Sequence, residues 1–136
     1  MWAGSDSLVK DEDVAGFKGG EFLYFPTVAA PITVSYNLEG VDELDLSPSV
    51  LGKIFSGTIT TWNDPAIAAD NAGVTLPSEA ITLAVRADGS GTTSNFTKYL
   101  TAAAPSDFTL GAGDTVPWVG NVVAGQGNSG VAQTVS

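Results

Sequence analysis

Neither cysteine nor histidine occurs anywhere in the 136 residues. Without cysteine there is no disulfide, no thiolate nucleophile and no Cys-based zinc site, and the redox compartment stays open because a thiol-free chain tolerates any. Without histidine a Ser-His-Asp triad cannot be assembled, and acid-base work falls to carboxylates, tyrosines or lysines. Basic residues are scarce too: five stand against 15 acidic ones, for a formal net charge of -10. Such a surface repels polyanions, so neither nucleic acid nor an anionic membrane is an expected partner. No run approaches the roughly 20 apolar residues a membrane-spanning helix needs, and the opening MWAGSDSLVK lacks a basic-then-apolar leader. The chain is therefore expected to be soluble, with no direct membrane insertion. With 43% hydrophobic residues it can bury a core, and its length fits one domain.

What is present alternates short strand-like pieces with well-punctuated helices. SLVKDEDVAGF carries Leu8, Val14 and Phe17 among charges, with Ser7 as a cap, and predicts a short helix ending near Gly19 and Gly20. EFLYFPTVAAPITVSYNL is β-branched and aromatic, and Pro26 and Pro31 divide it into two or three extended pieces, read as strand with bends. LSPSVLGKIFSG has Ser47 as N-cap, Pro48 at the first helical position, Val50, Leu51, Ile54 and Phe55 on one face, and Gly57 beyond the end. TWNDPAIAADN repeats that logic, with Asn63 or Asp64 capping and Pro65 opening an alanine-rich helix. A strand is expected at about 81–85. From Gly91 a helix with Phe96, Tyr99, Leu100 and Ala103 on one face runs to Pro105. A strand-like piece at 118–123 and a helix start at GNSGVAQTV close the chain. This alternation favours an α/β layered architecture with a mixed sheet flanked by helices.

The only arginine of the chain, Arg86, stands at the end of the 81–85 strand, in RADGSGTTSNF. Strand, turn and helix in that order set the unpaired N–H groups of a helix start at the carboxyl end of a strand, a ready place for an anion. Gly89 and Gly91 allow close backbone approach, and Ser90 and Thr92 add hydroxyl donors. Arg86 can present two parallel N–H bonds to a tetrahedral oxyanion, and Asp88 can pair with the guanidinium and fix its fork. The plainer alternative is an ordinary helix cap beside a surface ion pair. GSGTTS lacks the Gly-Lys-Ser/Thr of a nucleotide phosphate loop and has Ser94 where a dinucleotide fingerprint needs glycine, so nucleotides are disfavoured. Asp6, in the small-residue turn AGSDS, reads on its own as an N-terminal cap. KDEDV is a solvated face and not a calcium loop, and Trp2, Trp62 and Trp118 read as core or rim aromatics. No metal and no cofactor are expected.

Taken together, GSDS, FLYFPTVAAPITVSYNL, LGKIFSGTITTWNDPAI, RADGSGTTSNFTKYL and GQGNSGVA, in this order and spacing, resemble the phosphate-binding proteins of bacterial ABC phosphate importers. The resemblance implies a type 2 periplasmic binding-protein fold, with residues 1–25 an edge of the first lobe and 26–136 the second. It implies inorganic phosphate as ligand, a membrane permease as partner, a periplasmic or extracellular location, and no catalysis. In that family the residues matching Arg86, Asp88, Ser90, Gly91 and Thr92 hold phosphate, and the one matching Asp6 accepts a hydrogen bond from the protonated ligand oxygen. The family adds a strand and turn before, and more of the first lobe after, the part matched here, so an incomplete fragment is expected. Two other functions compete with phosphate binding for import: a phosphatase or phosphotransfer domain with Asp6 or Asp88 as nucleophile and Arg86 as clamp, and an interaction fragment whose anion site is vestigial.

Overall fold

The computed structural model describes residues 4–5, 8–21 and 23–136. Among the described residues, five helices and two strands follow in the order α1 (Asp11–Val14), α2 (Pro48–Phe55), α3 (Pro65–Asp70), β1 (Leu83–Arg86), α4 (Gly91–Ala103), β2 (Val122–Gly125) and α5 (Gly127–Val135). β1 and β2 pair in parallel with Leu83 opposite Val122 and Arg86 opposite Gly125. A parallel pair cannot be joined by a tight turn, and here the connection carries α4. An antiparallel bridge between Thr61 and Ala80 extends the structure toward α3.

Local chemistry starts the helices where the punctuation predicts. Ser47 caps α2 through Val50 N–H, Asp64 caps α3 by accepting from Ala66 N–H, and each cap is followed by proline. Proline at the first position loses nothing, since its missing N–H would be an orphan there. Gly57, just past α2, takes the positive φ of 70° that lets the chain turn away. The end of α3 locks the start of α2: Asp70 Oδ2 accepts from Ser47 N–H at 2.8 Å, which holds that carboxyl below the usual aspartate range. Buried Asn71 exchanges two 2.7 Å bonds with the backbone of Asp45.

Two apolar groups form the core. Val50 and Ile54 from α2, Ile67 from α3, and Ile59, Ile81, Leu83 and Val85 make the first, while Leu51, Leu100 and Phe108 make the second. Trp118 packs against both groups and Trp62 against the first, so these two rings are core-rim aromatics. Trp2 lies outside the described residues.

Three expectations are corrected. α1 is a single four-residue turn ending at Val14, not a helix reaching Gly19. Its N-cap Lys10 makes no side-chain cap bond, the expected cap Ser7 lies outside the described residues, and the apolar Leu8, Val14 and Phe17 are exposed, so little buried surface extends a marginal helix. Of the described residues in EFLYFPTVAAPITVSYNL, none is in a strand. Leu23, Phe25 and Val28 are 74%, 62% and 83% exposed, and β-propensity is expressed only where neighbours supply packing.

The buried face of α4 also differs: Tyr99 and Ala103 are exposed, and Thr97 and Leu100 are fully buried. Thr97 is tolerated there because its Oγ1 donates to Thr93 O at 2.8 Å and accepts from Gly113 N–H at 3.1 Å. Thr97→Val keeps the shape and orphans that N–H, so a loss of about 1–3 kcal/mol in denaturant unfolding is expected, with Thr97→Ser losing less. Equal unfolding midpoints for the valine and native chains would show the hydroxyl to be dispensable.

Candidate functional site

The parallel register sets the site. Because Arg86 lies opposite Gly125, both strands end at the same level, and α4 and α5 both begin just beyond. The two helix starts therefore face one small region at the carboxyl edge of the pair. Ala87 N–H donates to Gly125 O at 2.9 Å, continuing the ladder one step past β1.

Arg86 is at the centre. Its Nε donates to Asp88 Oδ1 at 2.8 Å and its Nη2 to Asp88 Oδ2, a two-pronged pairing that anchors one edge of the guanidinium. Its Nη1 donates to Asn128 Oδ1 at 2.8 Å and to Ser90 Oγ at 3.2 Å. Asp88 Oδ1 also accepts from Gly127 N–H, at the start of α5, at 3.1 Å. The guanidinium and this backbone donor keep the Asp88 carboxyl ionised far below the usual aspartate range. Arg86 and Asp88 side chains are only 19% and 32% exposed, so the positive charge is neutralised where it stands and what the region offers an anion is directed N–H dipoles.

Ser90 is buried and caps α4, its Oγ accepting from Thr93 N–H at 3.2 Å. Gly91 is the first residue of α4 and Thr92, next to it, is exposed. The five candidate residues from Arg86 to Thr92 are thus gathered on one strand end, one turn and one helix start. Asp6, the sixth, lies outside the described residues.

Three residues carry part of this arrangement without having been singled out. Asn128 and Gly127 sit in the GQGNSGVA block, and the parallel pairing of β2 with β1 is the signal that brings them here. Asp114 is the third. Its carbonyl accepts from Ser90 N–H at 3.0 Å while its carboxylate meets Lys10 Nζ at 2.8 Å, tying the N-terminal segment to the turn before α4. That contact raises the Lys10 pKa and lowers that of Asp114. An aspartate nucleophile needs an open oxygen lone pair and a reachable electrophile. Asp88 instead has Oδ1 accepting twice and Oδ2 turned onto Arg86.

The strand pair thus ends at two helix starts, with Arg86 and Asp88 paired between them. A family model described as "PBP superfamily domain" matches residues 2–136, and the chain belongs to that superfamily. It is similar to phosphate-binding protein PstS 3 of Mycobacterium leprae, at 40% identity over 98% of this chain and 37% of that protein. PstS 3 of Mycobacterium tuberculosis strain H37Rv is 44% identical over 96% of this chain and 36% of its own length. PstS of Pasteurella multocida is 41% identical over 97% and 38%. The chain thus spans little more than a third of the curated relatives it matches.

Proposed function

We propose that this chain binds inorganic phosphate as part of the extracytoplasmic solute-binding component of an ABC phosphate importer. The observation that carries this is the Arg86 cluster: a guanidinium charge-balanced by Asp88 at the junction of two helix starts, in a chain similar to proteins named for phosphate binding. Arg86, Asp88, Ser90, Gly91 and Thr92 form the phosphate contacts of this lobe, and Asp6 supplies an acceptor for the protonated oxygen. Hydrogen phosphate satisfies such an acceptor, whereas sulfate, lacking O–H, is repelled by it. Residues 26–136 belong to the second lobe, and 1–25 to an edge of the first. The partner is a membrane permease, and the location is periplasmic or at the cell surface. Among the described residues no helix is long and apolar enough to cross a membrane. The engaged carboxylate oxygens of Asp88 favour binding over an aspartyl-phosphate mechanism.

Isothermal titration of the 136-residue chain with phosphate and sulfate tests this reading. The Arg86 and Asp88 side chains are partly exposed, and solvent-accessible charge-assisted bonds supply only about 3–6 kcal/mol, so a phosphate Kd of ~0.1–10 mM is expected. Sulfate should bind at least ~10-fold more weakly. No heat of binding at millimolar phosphate would sink the proposal, and turnover of a phosphate ester lost in Asp6→Ala would replace it with the enzyme alternative.

A further inference from the structure

We infer that Asn128 is the positioning residue of Arg86: from the first turn of α5 it holds Nη1 and so sets where the guanidinium presents its donors to an anion. The consequence for phosphate rests on the reading given under Proposed function; the hold on Arg86 does not. A guanidinium is rigid and planar, so two anchored edges define its orientation fully. Asp88 anchors the Nε/Nη2 edge. That pairing moves with the aspartate side chain, which is only two residues away on the same turn and is itself held by one backbone bond, from Gly127. Nη1 is the remaining corner, and Asn128 Oδ1 takes it at 2.8 Å, closer than Ser90 Oγ at 3.2 Å.

Asn128 comes from a different element, 42 residues away, seated on β2 as well as on Asp88. Gly127 N–H donates to Asp88, and α5 lies on β2 with Gly125 and Gly130 in backbone contact. The asparagine therefore ties Arg86 to a rigid frame outside its own turn. Its chemistry suits the task. A neutral amide oxygen accepts from the cation without adding a second negative charge where an anion must approach, whereas a carboxylate there would hold the arginine equally and repel the ligand. Asn128 is exposed, so the polar contact with Arg86 is the main contribution that a substitution removes.

Because Arg86 is the only arginine, every guanidinium signal in a nitrogen-15 spectrum of this protein belongs to it. The test compares the native chain with Asn128→Ala and Asn128→Asp, first without phosphate and then by calorimetric titration with inorganic phosphate. In the native chain a resolved Nη1 proton signal is expected. It should be averaged away in Asn128→Ala and restored in Asn128→Asp, while the Nε–H signal held by Asp88 stays in place in all three and the dispersed backbone amide signals report an intact fold. Phosphate affinity should fall about 10-fold in Asn128→Ala, the effect of one charge-assisted bond. It should fall in Asn128→Asp as well, despite the restored signal. In an Arg86→Lys background, Asn128→Ala should change affinity by less than about twofold, since the effect passes through the arginine. An Nη1 signal unaltered by Asn128→Ala, or an equal affinity loss in both backgrounds, would overturn the inference. If the native chain takes up no phosphate while its Nη1 signal still depends on Asn128, the phosphate reading falls and the positioning of Arg86 stands.

Discussion

Replacing Gly125 with alanine is expected to destabilise the protein by about 3 kcal/mol or more, the upper part of the range for overpacked sites. A Cβ on Gly125 would fall against the Gly130 carbonyl carbon and lie 2.6 Å from both Gly130 O and Val131 N. These are backbone atoms of α5, with no rotamer that moves them aside, so the helix must lift off the strand pair. Its lifting withdraws Gly127 N–H from Asp88 and Asn128 from Arg86, so phosphate binding should fall with stability. Gly130→Ala is the natural comparison, since its Cβ would meet Gly125 C and Cα at 3.0 and 3.2 Å, distances that a small shift relieves. Denaturant unfolding of both variants measures the difference. A Gly125→Ala chain within about 0.5 kcal/mol of the native one would mean that α5 is not seated as described.

Arg86→Lys is expected to weaken phosphate binding at least ~10-fold while changing stability little. Lysine keeps the charge and loses the fork. Its ammonium cannot serve both oxygens of Asp88 in parallel and also reach Ser90 and Asn128, so the geometry that aims the cation is lost even though the Coulomb attraction persists. Stability should fall far less than binding, because lysine keeps a cation beside Asp88 and can retain one arm of the pairing. Calorimetry and thermal unfolding on the same samples separate the two effects. An unchanged dissociation constant would remove Arg86 from the site.

The parts legible in the sequence are those decided within a few residues. Ser47 before Pro48, Asp64 before Pro65 and Ser90 before Gly91 each set a helix start by a bond to an N–H two or three residues on, and such chemistry is written locally. The Arg86–Asp88 pairing was readable for the same reason. Asn128 and Asp114 were not, because their roles depend on which strands pair and in what register. Thr97 was missed because a threonine on a helix looks solvent-facing until the Gly113 backbone that it satisfies is known. Residues 23–34 misled in the opposite direction, since β-branched and aromatic residues state a preference that only a neighbouring strand can realise.

The parallel pairing of β1 with β2 has a further meaning in chain entropy. The bonds Arg86–Asn128 and Asp88–Gly127 join residues 42 and 39 positions apart. Closing a flexible loop of that size costs roughly 3 kcal/mol beyond a constant. Yet Arg86 is already opposite Gly125 in the ladder, so the ladder closes that loop whether or not either side-chain bond forms. The ladder carries the ordering cost once. The polar bonds at its end then draw on residues already in place, and only side-chain rotation opposes them.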